Sequence, residues 1–407
     1  KYFLDQRGDT INRELYTYNF GENKSVYTQD HLPVTQQDEA LGHAVRAAYM
    51  YSAMADIAAL QNNHEYLEAI HRLWENVAHK KLYITGGIGS QHSGEAFGEN
   101  YHLPNLSAYN ETCAAIANML WNQRMFLLTG ESKYIDVLER VLYNGFLSGV
   151  SIHGDKFFYP NPLESDGSHE RSPWFNCSCC PTNVARFMPS IPGYIYSKKN
   201  DRIYVNLFIG SEAQISLDKG EVKISQTTAY PWEGEVTVKA EPNFDGPFEL
   251  AIRIPLWLSD RPLPGDLYHF ADDLSDRFTL FVNGKAVDFM TMNGYAIINR
   301  TWKSDDMLKL SFPIRTRAVR ANEQVKEDLG RQAYTRGPIV YCAEGVDNEG
   351  KVRNMMVKEG TAFQVRHEAD LVNGINTLTG NAFEVSLDGS GKLKTSSKEI
   401  TMIPYYA

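Results

Sequence analysis

The period of the apolar residues changes once along this chain, near Tyr194, and the change limits what the chain can fold into. Upstream, apolar side chains recur at the helical spacing. Between 38 and 61, Leu41, Ala44, Val45, Ala48, Met50, Ala53 and Met54 follow the 3.6-residue period. A second helix is expected over 64–79, after the short Asn62-Asn63 turn, with others over about 111–128, 132–148 and 182–191. Helices of this length, paired through short turns, predict an α/α barrel or toroid rather than a compact bundle. Five helices do not close such a barrel, so a full one would need more chain upstream of Lys1. Downstream, short runs at 201–208, 220–227, 234–240, 248–254, 278–282 and 307–312 alternate or stay apolar. Turn residues such as Asn283-Gly284-Lys285 separate them, the patterning of a β-sandwich. More strands with little helix are expected from about Thr316 onward. The expected fold is therefore multidomain α+β: a helical domain over 1–195, a β-sandwich over 196–315 and a second β-rich module over 316–407.

Composition narrows the function. Forty basic residues against fifty acidic ones give a net charge of −10, with no run of Lys or Arg, which argues against a nucleic-acid surface. No stretch approaches the roughly 20 apolar residues of a membrane helix. The start, Lys1-Tyr2-Phe3-Leu4-Asp5-Gln6-Arg7, has neither an initiator Met nor the apolar segment of a signal peptide. Aromatic residues reach 12%, led by 23 Tyr. Their flat faces with polar edges suit sugar rings, and they also simply fill cores.

Five cysteines is an odd count, and Cys179 and Cys180 are adjacent, which fits metal or reactive thiols better than a disulfide framework. Asn176-Cys177-Ser178-Cys179-Cys180-Pro181 supplies three thiols, and Asn110-Glu111-Thr112-Cys113-Ala114 adds a fourth beside a carboxylate. Thiolates with one carboxylate suit a borderline-soft ion such as zinc. Glu111 and Cys113 stand two apart, which puts them on nearly opposite sides of a regular helix. To share an ion they must lie at a helix entry, with Asn110 or Glu111 near the cap. Pro181 favours a first helical position, so a helix is expected from about Thr182 with both thiols just before it. Two helix N-termini would then converge on the thiolates and lower their pKa. The polar, Gly-rich stretch from Thr85 to Pro104 is too long for a mere connector and carries Glu95. It lacks the Gly-Lys-Ser/Thr of a phosphate loop. Cys342, in the apolar run 339–343, is expected to be an inert core residue.

These residues resemble glycoside hydrolase family 127, a bacterial β-L-arabinofuranosidase family. The likeness is carried by Gly86-Gly87-Ile88-Gly89-Ser90, Gly94-Glu95-Ala96-Phe97, Asn110-Glu111-Thr112-Cys113-Ala114 and Cys177-Ser178-Cys179-Cys180-Pro181. Gly42-His43-Ala44-Val45-Arg46 and Arg336-Gly337-Pro338-Ile339-Val340-Tyr341 extend it over most of the chain. The resemblance implies an (α/α)6 barrel, present here only in part, followed by β-sandwich domains. It implies Zn2+ held by Glu111, Cys113, Cys179 and Cys180, with Cys179 as nucleophile and Glu95 as acid/base. His43 and Tyr159 match substrate-binding positions, and Cys177 and Ser178 act as spacers. The stretch from Pro162 to Trp174 is shorter than in the family, which bears on the pocket mouth.

The activity so implied is a retaining glycoside hydrolase releasing terminal β-L-arabinofuranose. Three thiolates and a carboxylate around a divalent cation leave a net negative site, so Glu95 beside it is expected to hold its proton more tightly than usual. The partner expected is an L-arabinofuranoside-type carbohydrate, with no nucleic acid and no membrane, and homodimer formation is kept open. The compartment is left between bacterial cytoplasm and periplasm. One alternative is a hydrolase of the same family acting on another deoxy or branched sugar. The others are a non-catalytic carbohydrate-binding protein with a structural zinc, and a polysaccharide lyase on an α/α toroid.

Overall fold

A computed structural model describes residues 1–9, 24–350 and 352–407. Two short helices, α1 (Tyr2–Asp5) and α2 (Lys24–Tyr27), precede the main helical part. That part consists of α3 (Ala44–Gln61), α4 (His64–Lys80), α5 (Thr112–Thr129), α6 (Ser132–Arg140) and α7 (Cys179–Phe187). Asn62, in a left-handed conformation at φ 49°, ends α3, and the Asn63 side chain accepts from the Tyr66 amide to start α4. Among the described residues no helix is long and apolar enough to cross a membrane.

The helix expected over 38–61 begins only at Ala44, because Gly42 takes a positive φ of 71° that no helix continues through. The one expected over 132–148 is regular to Arg140, then widens into a π-turn over Val141–Phe146 and tightens over Leu147–Gly149. In that widened turn Asn144 donates to the carbonyls of Arg140 and Pro338 and accepts from the Val340 amide, which ties the turn to the last sheet.

From Tyr196 on the chain is sheet. Five strands pair in the order Tyr196–Lys199, Arg202–Val205, Pro247–Arg253, Tyr295–Thr301, Met290–Met292, and only the second and third are parallel. Six antiparallel strands form a second sheet, in which Gly220–Thr228 alternates buried and open positions as a half-covered strand must. Its hairpin at Asn283-Gly284 puts both residues at positive φ, 51° and 76°, with Val282 opposite Lys285. The third sheet uses the C-terminal strands but also takes in Tyr268–Phe270 from the middle of the chain, paired with Val319–Ala321. The architecture is thus a helical N-terminal part followed by sheet-rich parts.

Helices and first sheet meet across a buried ionic knot. Arg253, fully buried, donates to Asp136 at 2.7 Å and to Glu139, and its Nε reaches the Asn206 carbonyl at 2.6 Å. Tyr230 donates to Glu139 at 2.8 Å. Removing one partner strands the others without water. Arg253→Met is therefore expected to cost about 3–5 kcal/mol, read as a lower urea midpoint. Lys309→Met, which breaks the exposed pair with Glu235, is expected to cost under about 1 kcal/mol. Equal losses in the two variants would contradict the assignment of the knot as the tie between layers.

Candidate metal and active site

Two helix starts meet at the site. Glu111 caps α5 in extended conformation (φ −57°, ψ 138°) and Cys113 is the second helical residue, so cap and first turn face one point. The second helix start differs from expectation. α7 begins at Cys179 rather than near Thr182, so Cys179 and Cys180 form its first turn and Pro181 is its third residue. Proline is tolerated there because first-turn amides have no intrahelical acceptor to lose. Asn183 and Arg186 donate to the Tyr49 hydroxyl at 3.0 and 2.8 Å, which fastens α7 to α3.

The glycine-rich loop is a packing device. A Cβ on Gly87 would lie 2.9 Å from the Asn110 side chain, and one on Gly89, at φ 86°, 2.9 Å from the Ala44 Cβ. Asn110, itself at φ 42°, donates its amide to the Gly89 carbonyl at 2.8 Å, so the loop seats the entry to α5. The same loop returns along His43: Ala96 pairs with it, and the Phe97 amide donates to Gly42. That return sets Glu95 beside the start of α3. On the other side, the Thr112 amide and hydroxyl donate to the carbonyls of Tyr159 and Phe158, which brings Tyr159 over α7.

The donor atoms of Glu111, Cys113, Cys179 and Cys180 all lie within 4.8 Å of one another. Cys179 and Cys180 sulfurs are 3.8 Å apart, and Glu111 Oε1 is 3.4 and 3.5 Å from them. A tetrahedral ion with sulfur ligands at about 2.3 Å and oxygen at about 2.0 Å has edges of roughly 3.8 and 3.5 Å. The other Glu111 oxygen is buried, with no hydrogen-bond partner among the described residues. The four residues fit a metal ion and could hold one.

Around this cluster the remaining site residues assemble. Tyr159 Oη lies 2.9 Å from the Cys179 sulfur and 3.9 Å from that of Cys177, which is exposed. His43 Nε2 meets Glu95 Oε2 at 3.0 Å, and the donor atoms of His43, Glu95 and Glu111 fall within 4.8 Å. Every candidate named from the sequence is brought to this one place except Cys342, which sits on the strand Ile339–Cys342 with its thiol pushed up by burial.

Sequence reasoning missed Tyr109 and Tyr27. The Tyr109 hydroxyl donates to Glu95 Oε1 at 2.9 Å, and the Tyr27 ring meets that of His43 edge-on at 5.5 Å. The available signal for Tyr109 was its place directly before Asn110-Glu111, an aromatic adjoining the thiol motif.

Electrostatics divides the thiols. Hydrogen bonds from Cys113 first, then Cys180, Tyr159 and Glu111, pull the Cys179 thiol far below its ordinary range. The contact with Cys179 pushes Cys113 up, and those with Cys113 and then Cys179 push Cys180 up, so Cys179 is the thiol of the three that ionises most readily. Burial and then the Cys179 charge drive Glu111 well above the usual carboxylate range. For Glu95 the expectation of a tightly held proton is overturned. The His43 hydrogen bond and that of Tyr109 hold its carboxyl below the usual value, outweighing burial and the opposing Cys179 charge.

Comparison with known proteins follows the same lines. Residues 1–193 match the model described as beta-L-arabinofuranosidase, GH127 catalytic domain; 202–314 match the GH127 middle domain; and 316–407 match the family 127 C-terminal domain. A non-reducing end beta-L-arabinofuranosidase of Bifidobacterium longum is 33% identical over 410 residues, covering 93% of this chain and 59% of that protein. A solved beta-arabinofuranosidase of the same family is 49% identical with a TM-score of 0.94, over 100% of this chain and 62% of the other. A beta-L-arabinofuranosidase from Geobacillus stearothermophilus T6 is 38% identical with a TM-score of 0.90, over 100% and 66%. The chain therefore spans about two thirds or less of each of these relatives' lengths.

The divided thiols make a testable pattern. A depressed thiol is ionised below the ordinary value of about 8.5, where a raised one stays protonated. In chelator-treated protein at pH about 6, iodoacetamide is expected to alkylate Cys179 before Cys113 or Cys180, both of which are buried. Peptide mapping reads the order. Equal labelling of the three would contradict a thiolate centred on Cys179.

Proposed function

The chain belongs to glycoside hydrolase family 127, and from that premise we propose that it is a retaining hydrolase releasing terminal β-L-arabinofuranose from glycans or glycoconjugates. The observation that carries the reading is the thiolate cluster with Cys179 at its open edge, facing a glutamate held by two donors. The metal in this reading is zinc, because a soft three-thiolate set with one carboxylate in tetrahedral spacing suits it over harder ions. When bound, zinc keeps its thiolates deprotonated at neutral pH while damping their nucleophilicity.

In the first step the Cys179 sulfur forms a bond to the anomeric carbon as the carbon–oxygen bond to the leaving group breaks, and Glu95 gives its proton to the departing oxygen. In the second, a water oxygen attacks the same carbon, the carbon–sulfur bond breaks, and Glu95 takes the water's proton. Two inversions return the starting configuration. The free site favours the Glu95 carboxylate, the form needed for the second step. Sugar filling the pocket and excluding water favours the protonated form needed for the first. His43 and Tyr159 border the space where the ring would lie and bind its hydroxyls in this reading.

A specific observation also favours a rival: four donors close the tetrahedron, as in structural zinc sites. The two readings part on the nucleophile. An epoxide or haloacetamide analogue of L-arabinofuranose is expected to raise the intact mass by one inhibitor unit, mapped to Cys179. Label on Glu111 or Glu95 would replace sulfur by a carboxylate nucleophile, and no label with stoichiometric zinc would favour the structural ion. Glu95→Gln is expected to lose roughly 100-fold or more on alkyl arabinofuranosides and much less on p-nitrophenyl arabinofuranoside, which needs little protonation to depart. Equal losses on both substrates would remove the acid/base role.

A further inference from the structure

We propose that Tyr109 is the positioning residue of Glu95, fixing the plane of its carboxylate toward the leaving oxygen. The inference rests on the reading of Glu95 as acid/base. Glu95 needs such a tether. It ends the three-residue turn Ser93–Glu95, in which Gly94 stands at φ 69° and Glu95 itself at φ 50°. A glutamate in the left-handed region stores strain that neighbours must offset. Its side chain is about one-third exposed, and its terminal torsion is intrinsically broad. One hydrogen bond would fix a distance but leave the carboxylate free to turn. Two bonds to separate oxygens fix its plane, and the structure supplies two: His43 on Oε2 and Tyr109 on Oε1.

The two tethers are not equivalent. In the functional reading His43 is a group the sugar also engages, so its bond to Glu95 is open to competition. Tyr109 is held from behind. Its amide donates to the Ser90 carbonyl at 3.4 Å and its carbonyl accepts from the Asn161 amide at 2.9 Å. Its ring meets His92 edge-on at 4.8 Å and lies 6.2 Å from the ring of Tyr159, whose hydroxyl reaches the Cys179 sulfur. Tyr109 and Tyr159 thus form one wall linking the proton donor to the nucleophile, each tyrosine touching one of the two.

The test compares the intact zinc-loaded protein with Tyr109→Phe, Glu95→Gln and the double variant, on an alkyl and a p-nitrophenyl β-L-arabinofuranoside. Tyr109→Phe is expected to lower kcat on the alkyl glycoside roughly 10- to 100-fold, the rate equivalent of one charge-assisted hydrogen bond, with KM little changed. On the p-nitrophenyl glycoside the loss is expected to be about threefold or less. In the Glu95→Gln background the Tyr109 substitution is expected to add nothing further, because both act on one proton transfer. Equal losses on the two substrates, additive losses in the double variant, a change in KM alone, or loss of zinc or of melting temperature in Tyr109→Phe would each overturn the assignment. An inactive wild type, or Glu95→Gln without leaving-group dependence, would instead bring down the hydrolase reading, and the role of Tyr109 with it.

Discussion

A carboxylate and two sulfurs, packed almost out of reach of water where two helices begin, set the terms for everything around them. Glu111, Cys113 and Cys180 are each 3% exposed or less, and one Glu111 oxygen has no hydrogen-bond partner among the described residues. Buried ionisable groups persist only when charge or coordination compensates them. The dipoles at the N-termini of α5 and α7 supply part of that compensation. The rest falls to a cation or to shared protons. Without a cation, burial and the mutual contacts of the cluster push Cys113, Cys180 and Glu111 up and pull Cys179 down. These shifts and the metal fit are therefore two answers to one electrostatic demand, and Cys179 is the least buried member of the cluster.

Meeting that demand requires several distant segments to arrive together. The glycines at 87 and 89 let the loop lie against Asn110 and Ala44; the π-turn frees Asn144 to grip the strand at Val340; and Tyr49 holds α7. The sheets reinforce the helical layer at the Arg253 knot and at Tyr405, whose hydroxyl donates to the Asn161 and Pro162 carbonyls just behind Tyr159. Asn161 in turn donates to the Asn110 carbonyl, so the last residues of the chain are two hydrogen bonds from the Glu111 cap. The C-terminal sheet is thereby part of the scaffold that orients the site.

Much of this was readable from the residues because the relevant signals are local. The helices over 64–79 and 111–128 and the strands near 220–227, 248–254 and 307–312 fall within about two residues of their observed bounds, since periodicity is a property of contiguous chain. Asn283-Gly284 gave its hairpin for the same reason. The spacing of Glu111 and Cys113 required a helix entry, and Glu111 is the cap. What escaped was decided by tertiary contacts. Pro181 pointed to a helix start three residues too late, because first-turn thiols packed against α5 outweigh the preference of proline for the opening position. The break after Arg140 answers to Pro338 and Val340, nearly two hundred residues away.

Glu95 shows the same limit at the level of charge. From sequence its only known neighbour was an anionic cluster, and an anion raises a carboxyl's pKa. In three dimensions two donors hold its oxygens: His43 at 3.0 Å on one and Tyr109 at 2.9 Å on the other. Short hydrogen bonds from these donors outweigh the Cys179 charge of the same sign, so the carboxyl moves down. The strained turn at Gly94 and Glu95 follows from this arrangement. A relaxed turn would need no anchors, whereas this one spends backbone energy to deliver a carboxylate to two donors that define its plane. Strain, tethers and the neighbouring thiols are parts of one construction, which holds the Glu95 carboxylate beside Glu111 and the sulfurs that Glu111 touches.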